Sequence, residues 1–149
     1  MVAFDRPVSP GNIGTLIRSA DAFGANGFVV TGHAADPYDP KAVRSSTGSL
    51  FALPTVRISS PDEVAGWAEA HGLRIVGTDE SGDRDISEVD LRAPTLLVVG
   101  NETNGMSRRW LEHCDQVARV PMPGARIASS LNAATAGTLA LYEATRQRG

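Results

Sequence analysis

The sequence contains a single cysteine, Cys114, and its three histidines, His33, His71 and His113, are scattered along the chain. One cysteine excludes an internal disulfide framework and, with histidines that lack ligand spacing, predicts that the chain holds no metal. No segment reaches the roughly 18 apolar residues of a membrane span, and the start MVAFDRPV lacks the apolar core of a signal peptide. We therefore expect a cytoplasmic protein without a membrane partner.

Positive charge is scarce as well. The 149 residues include 14 basic and 17 acidic side chains, which gives a formal net charge of −3. The chain as a whole therefore lacks the basic balance that is typical of nucleic-acid-binding proteins. All basic residues except Lys41 are arginines, whose guanidinium groups suit bidentate phosphate contacts, although a GC-rich genome produces the same bias. Any surface for nucleic acid must come from local patches.

Short apolar segments alternate with helical patterns along the chain, and the hydrophobic content of 42% predicts one globular domain over residues 1–149. Strands are predicted at residues 2–4, 28–31, 55–58, 73–78, 95–100 and 116–122. Helices are predicted over residues 13–23, 61–72 and 129–148, the last with Ser129 or Ser130 as its N-cap. This alternation predicts an α/β fold with a mostly parallel sheet flanked by helices.

Two further segments have a distinctive composition. The acidic segment DESGDRDISEVD, residues 79–90, is predicted to be a solvated loop. The last predicted helix is rich in alanine and glycine around Gly137, so its backbone must be approached closely by another helix or by a partner subunit.

Ligand sites in open parallel sheets lie beyond the carboxyl ends of the strands, which directs attention to the loops after Thr78, Val99 and Val120. The segment GNETNGMS has glycines at 100 and 105 that permit a close backbone approach, but it is neither a phosphate-binding P-loop nor a dinucleotide fingerprint. Ordinary turn chemistry before a helix capped by Ser107 is the alternative. In VPMPGARIASSLN, capping does not readily explain Asn132.

The segment NIGTLIRSADAFG places Arg18 directly after Ile17 in an apolar helical pattern. From the residues alone, Arg18 is either a functional cation, a buried arginine paired with Asp21 or Glu102, or a side chain that reaches solvent.

Three segments in order, NIGTLIRSADAFG, LLVVGNETNG and SLNAATAG…LALYEA, resemble the motifs of the SpoU (TrmH-like) RNA 2′-O-ribose methyltransferases of the SPOUT class. The intervening KAVRSSTGSLFALP is also similar to that family, and the resemblance runs from Val2 to about Arg146. It implies a C-terminal deep trefoil knot, which is an exception among folds, and a homodimer. It also implies methyl transfer from S-adenosylmethionine to a ribose 2′-hydroxyl of rRNA or tRNA, with S-adenosylhomocysteine as product and no metal.

The resemblance also assigns roles to positions of this sequence. The implied catalytic residues are Asn12, Arg18, Glu102, Ser130 and Asn132. The implied cofactor-binding residues are Thr78, Asp79, Gly100, Asn101, Glu102, Gly105, Val120, Pro121, Met122, Ser130, Leu131 and Ala133. The candidates for RNA binding are Arg18, Arg44, Arg108, Arg109 and Arg126.

We expect Arg18 to bind a phosphate and stabilise developing alkoxide charge, since a guanidinium hardly ever deprotonates. Glu102 is expected to order the loop of the second motif by accepting backbone amides, and Asn12 to steady Arg18 or the ribose. The sequence departs from the family at NAATAG, which replaces the commoner Asn-Val-Ser-Val type, and in a slightly longer segment between Gly124 and Ser130.

Three other functions remain open at this stage: a non-catalytic RNA-binding member of the same fold, a nucleotide-binding module, and a methyltransferase that acts on a base. Because the sequence starts at the first strand, we expect it to lack the extra N-terminal RNA-binding domain that many relatives carry. It is expected to be either a stand-alone enzyme or the catalytic part of a longer protein.

Overall fold

The computed structural model describes residues 1–124, 127 and 130–149. The strands are β1 (Val2–Asp5), β2 (Phe28–Thr31), β3 (Thr55–Arg57), β4 (Arg74–Thr78), β5 (Arg84–Asp85), β6 (Thr95–Val99) and β7 (Gln116–Arg119). The helices are α1 (Pro10–Ala22), α2 (Pro40–Ser46), α3 (Ser49–Ala52), α4 (Pro61–Ala70), α5 (Arg108–His113) and α6 (Ala133–Arg148), with a 3₁₀ turn at Ile86–Glu88.

The strands form one sheet in the order β3-β2-β1-β6-β4-β7-β5, and every pair is parallel. This confirms the predicted α/β fold with a parallel sheet. All six predicted strands are present, while the two-residue β5 was not predicted. Because β6, β4 and β7 are neighbours, the loops that leave their carboxyl ends meet at one edge of the sheet.

Helices cover both faces of the sheet. Alternate residues of β1 point to opposite faces: Phe4 packs into a core with Leu16 of α1 and Leu141 of α6, whereas Ala3 packs with Val64 of α4 and Trp110 of α5. The sheet is therefore the middle of three layers, with α1 and α6 on one side and α4 and α5 on the other. In the described part of the chain, no helix is long and apolar enough to cross a membrane.

The start of α6 differs from the prediction. The helix begins at Ala133, and its N-cap is Asn132, whose side chain accepts a hydrogen bond from the backbone N–H of Thr135 at 3.2 Å. The prediction of Ser130 as the cap is wrong, Ser129 lies outside the described residues, and the expectation that capping does not explain Asn132 is wrong because Asn132 is itself the cap. Several residues of SSLN can cap a helix, and the position from which the side-chain oxygen reaches the third helical amide decides between them.

The small residues of α6 are explained by a contact within the chain. A Cβ atom on Gly137 would lie 2.7 Å from Cδ1 of Leu16 and 3.0 Å from Cγ2 of Val99. Beside it, the hydroxyls of Thr138 and Ser19 are hydrogen-bonded at 2.7 Å. The close neighbour that the composition predicted is therefore α1. The knot stays a prediction from the resemblance.

The acidic segment 79–90 is not a fully solvated loop, so that prediction is wrong. It contains β5 and the 3₁₀ turn, and Ile86 and Val89 are buried in the same core as α6. The prediction failed because the many carboxylates of this segment outweigh its two apolar residues in the composition. The helices α2 and α3 were also missed, although Asp39 followed by Pro40 is a helix-start signal.

Candidate active site

A cavity of about 230 Å³ lies at the carboxyl ends of β4, β6 and β7. Every residue predicted to hold the cofactor lies on its wall except Pro121. The described wall also includes Glu80, Thr103 and Asn104, which belong to the predicted loops, and two residues that the sequence did not indicate, Val99 and Ala136. The three predicted loops therefore meet around one cleft.

The turn after β6 closes on itself. Asn101 and Gly105 exchange two backbone hydrogen bonds of 2.8 and 3.0 Å, and Oδ1 of Asn101 accepts from the amides of Thr103 and Asn104 at 2.8 and 3.0 Å. Gly105 has φ of +66°, a conformation that favours glycine. At Gly100, a Cβ would collide with backbone atoms across the turn. Both glycines therefore have a steric reason within the turn, in agreement with the turn chemistry that was the alternative from the sequence, and the close approach of a ligand stays a prediction.

One carboxylate joins the first and second motifs. Oε2 of Glu102 accepts from the backbone N–H of Val8 at 3.1 Å, and Oε1 accepts from the backbone N–H of Ser9 and from Nδ2 of Asn12, each at 3.2 Å. Glu102 does accept backbone amides, but they belong to the segment before α1 and not to its own loop. The side chain therefore fixes the approach of α1 to the cleft.

Asn12 extends this contact to the third motif. Its Oδ1 accepts from Nδ2 of Asn132 at 3.0 Å, so Asn12 bridges Glu102 and Asn132 across separations of 90 and 120 residues. The structure thus brings three of the five predicted catalytic residues into one chain of hydrogen bonds, while Ser130 lies on the cleft wall. Asn12 does not steady Arg18, contrary to one of the two expectations for it.

Arg18 lies apart from this group. It is exposed on α1, next to the fully buried Ile17, and six residues, or about 9 Å of helix rise, separate it from Asn12. Within the described residues it forms no ion pair and does not line the cleft, and Asp21 accepts a hydrogen bond from Ser49 instead. Of the alternatives weighed from the sequence, burial beside Asp21 or Glu102 is wrong.

The other candidate RNA-binding arginines that the structure describes do not lie on one face of the sheet. Arg44 is exposed on α2, which packs against α1, whereas Arg108 and Arg109 begin α5 on the opposite face of the sheet. Arg108 and Arg109 are both paired with Glu112, at 3.0 and 3.3 Å. Arg126 lies outside the described residues.

His113 and Cys114 are adjacent in sequence but do not act together. Nε2 of His113 lies 2.7 Å from Oδ1 of Asp62, and hydrogen bonds from His113 and Arg109 lower the pKa of that carboxyl. Cys114 ends α5 as predicted and is half-buried. Burial, reinforced by the charge of Asp115, raises the pKa of its thiol to about 12, so it stays protonated at neutral pH.

Sequence reasoning missed Asp5, which is fully buried at the end of β1. Its Oδ1 accepts from Oγ1 of Thr31 at 3.2 Å, and its Oδ2 accepts from the backbone N–H of Ser107 at 2.7 Å. Oγ1 of Thr31 also accepts from Nε1 of Trp110 at 3.0 Å. The only available signal was a carboxylate that directly follows the apolar run VAF.

A parallel sheet with a glycine-rich turn and a partly apolar cleft at the carboxyl ends of its strands is typical of α/β proteins that bind a small ligand at that place. Residues 1–142 match the SpoU rRNA Methylase family. The chain therefore belongs to that family, which confirms the resemblance in its three motifs.

Relatives and solved structures agree with this assignment. The chain is 60% identical, over 99% of its length and 52% of the relative's, to a 23S rRNA (uridine(2479)-2′-O)-methyltransferase of Streptomyces viridochromogenes. It superposes with a TM-score of 0.93 on the SpoU methyltransferase AviRb of that organism in complex with AdoMet, again at 60% identity, covering 99% of this chain and 59% of that one. An A. aeolicus TrmH/SpoU tRNA modifying enzyme superposes with a TM-score of 0.88 at 32% identity, covering 99% of this chain and 74% of that one. The chain spans about half the length of the curated relatives it matches.

Proposed function

We propose that this chain transfers a methyl group from S-adenosylmethionine to a ribose 2′-hydroxyl of ribosomal RNA. The observation that carries the proposal is the contact among the three family motifs beside one cleft: Asn12 of the first motif joins Asn132 of the third to Glu102, which lies on the cleft wall. The 60% identity to an enzyme named for uridine 2′-O-methylation of 23S rRNA makes a uridine of 23S rRNA the first substrate to test.

The cleft residues fit S-adenosylmethionine. Val120, Leu131 and Ala133 supply apolar wall for an adenine ring, and the turn closed by Gly105 lets a ligand approach the backbone. The carboxylate of Asp79 also lies on the wall and complements the positive charges of a sulfonium and an ammonium group. When bound, the cofactor supplies a methyl group that its sulfonium already activates, so the proposed reaction needs no metal.

Within this proposal, Glu102 is a structural anchor and not the base, because its carboxylate already accepts from three donors. Arg18 binds a phosphate of the RNA and stabilises the charge that develops on the 2′-oxygen, and the proton leaves through phosphate or water. Because Arg18 is absent from the described wall of its own cleft, we propose that it serves the cleft of a second copy in a homodimer. The C-terminal knot and a cytoplasmic location belong to the same proposal.

The test is methyl transfer from labelled cofactor to a 23S rRNA transcript, followed by alkaline hydrolysis. A methylated 2′-oxygen cannot attack the neighbouring phosphodiester, so we expect the label in an alkali-resistant dinucleotide. Label released in a mononucleotide would identify a base methyltransferase. If a folded dimer that binds the cofactor labels neither rRNA nor tRNA, the proposed methyl transfer is refuted, and RNA binding by this inactive protein would identify a non-catalytic RNA-binding member.

The role of Arg18 across the dimer has its own test. Arg18→Ala and a variant that fills the cleft, Ala136→Leu, are each expected to be inactive. Subunits mixed at equal amounts should regain about a quarter of wild-type activity, since half of the dimers then hold one intact site of two. No recovery would place Arg18 and the cleft it serves in the same subunit. Arg92→Ala is the matched control, because Arg92 is an exposed arginine paired with Asp90.

A further inference from the structure

We propose that Arg6 is a positioning residue that holds the turn 101–105 in its ligand-binding shape from outside the cleft. This inference rests on the proposed function, because it assigns cofactor binding to that turn. Arg6 does not line the described cleft wall, so its effect on a ligand is indirect.

Arg6 reaches both ends of the turn at once. Its carbonyl oxygen accepts from Nδ2 of Asn101 at 2.6 Å, and its Nη2 donates to the carbonyl of Gly105 at 3.1 Å. Asn101 and Gly105 are the two residues whose backbones pair to close the turn. One residue that directly follows β1 therefore contacts both residues that close a turn almost a hundred positions later in the sequence.

The buried carboxylate of Asp5 fixes the guanidinium. Nε of Arg6 donates to Oδ2 of Asp5 at 3.1 Å, and the same oxygen accepts the backbone N–H of Ser107 at 2.7 Å. Asp5 is fully buried, whereas the Arg6 side chain is 32% exposed. The pair therefore fixes the backbone of Ser107, just after the turn, as well as the closing residue Gly105.

The backbone at Arg6 and at the facing Gly32 accommodates the arginine side chain. Arg6 has φ of +51°, which is costly for a residue with a side chain, and its N–H donates to the carbonyl of Thr31 at 2.8 Å. Across from it, a Cβ on Gly32 would collide with the Arg6 side-chain stem. A planar guanidinium can donate to a carboxylate and a carbonyl at the same time, which the single ammonium of lysine does less well.

The experiment compares wild type with Arg6→Gly and Arg6→Lys. Glycine removes the guanidinium and accepts the positive φ without strain. We expect Arg6→Gly to bind S-adenosylhomocysteine roughly tenfold more weakly in calorimetry, with Arg6→Lys between the two. Without ligand, the amides of Gly105 and Ser107 should exchange hydrogen faster, while those of β4 and β6 keep their rates. Arg92→Ala, which removes an arginine from another Asp–Arg pair, should change none of these.

A second variant covers the case in which Arg6→Gly folds poorly because Asp5 is left as an unpaired buried charge. In Arg6→Gly/Asp5→Asn the thermal midpoint should recover, while ligand binding stays weak. An unchanged dissociation constant in Arg6→Gly overturns the inference, and so does faster exchange throughout the sheet in Arg6→Gly/Asp5→Asn, which would indicate a general loss of stability. If wild type itself fails to bind, the proposed function fails, and the exchange rates still decide whether Arg6 orders the turn.

Discussion

Asn132 performs two separable tasks, and three substitutions distinguish them. Its Oδ1 caps α6 by accepting from the amide of Thr135, and its Nδ2 donates to Oδ1 of Asn12. Asn132→Ala loses both contacts. Asn132→Ser keeps an oxygen that can cap the helix but is too short to reach Asn12. Asn132→Asp keeps the cap and places a negative charge at the helix N-terminus, where it is favoured, but it cannot donate.

The expected magnitudes follow from these contacts. Loss of the cap in Asn132→Ala should cost about 1 kcal/mol, which lowers the thermal midpoint by roughly 2–4 °C for a chain of this size. Asn132→Ser and Asn132→Asp should remain within about 0.5 kcal/mol of wild type, because Asn132 is exposed and water replaces its contact with Asn12. All three should lower methyl transfer by about ten- to a hundredfold, since Asn12 loses a positioning contact.

The assay pairs urea unfolding with methyl transfer at a saturating cofactor concentration. If Asn132→Ser is destabilised as much as Asn132→Ala, the serine oxygen does not replace the cap and the assignment of this contact is refuted. If Asn132→Ser and Asn132→Asp retain wild-type activity, the hydrogen bond between Asn132 and Asn12 has no catalytic importance.

Three further predictions concern packing and titration. Gly14→Ala should lower the free energy of unfolding in urea by about 3 kcal/mol, because its Cβ would collide with the backbone of α2. Gly66→Ala has open space in α4 and should raise the free energy of unfolding by about 0.5–1 kcal/mol. Hydrogen bonds from Arg146 and Gln147 lower the pKa of Glu143 to about 2. Glu143→Gln should therefore lower the free energy of unfolding by about 1 kcal/mol at pH 7. This difference should shrink as the pH falls from 4.5 towards 2, because the carboxylate of the wild type is then protonated. Cys114, with its raised pKa, should react with iodoacetamide at pH 8 at least about a hundredfold more slowly in the folded than in the urea-unfolded chain.

Each of these has a clear contrary result. Equal effects of Gly14→Ala and Gly66→Ala would contradict the close crossing of α1 and α2. A Glu143→Gln difference that is independent of pH would show that packing, and not the carboxylate charge, matters there. Rapid alkylation of folded Cys114 would contradict the burial of its thiol.

Much of the fold could be predicted because its strands are short apolar runs with clear boundaries. TLLVV, for example, is buried along its full length as β6, as expected for the middle of a parallel sheet. The two-residue β5 had no such signal, because its residues are Arg84 and Asp85 and only pairing with β7 defines it. The short helices α2 and α3 lacked enough turns for a periodic pattern.

The site was predictable in its parts and not in its connections. The glycines of the turn after β6 pointed to a close backbone approach, and the motifs identified Asn12, Glu102 and Asn132. Which of these contacts which depends on how distant segments pack, so the bridge through Asn12 became visible only in three dimensions. The pair formed by Asp5 and Arg6 was missed for the same reason.

Calorimetry of the purified protein with S-adenosylhomocysteine, compared with Ala136→Leu, tests directly whether this cleft binds the cofactor. Ala136 lies on the wall of the cleft, and a leucine there occupies space that the ligand needs. We expect micromolar binding by wild type and at least about tenfold weaker binding by the variant. No binding by a folded wild-type protein, or equal binding by both, would contradict the assignment of this cleft to the cofactor.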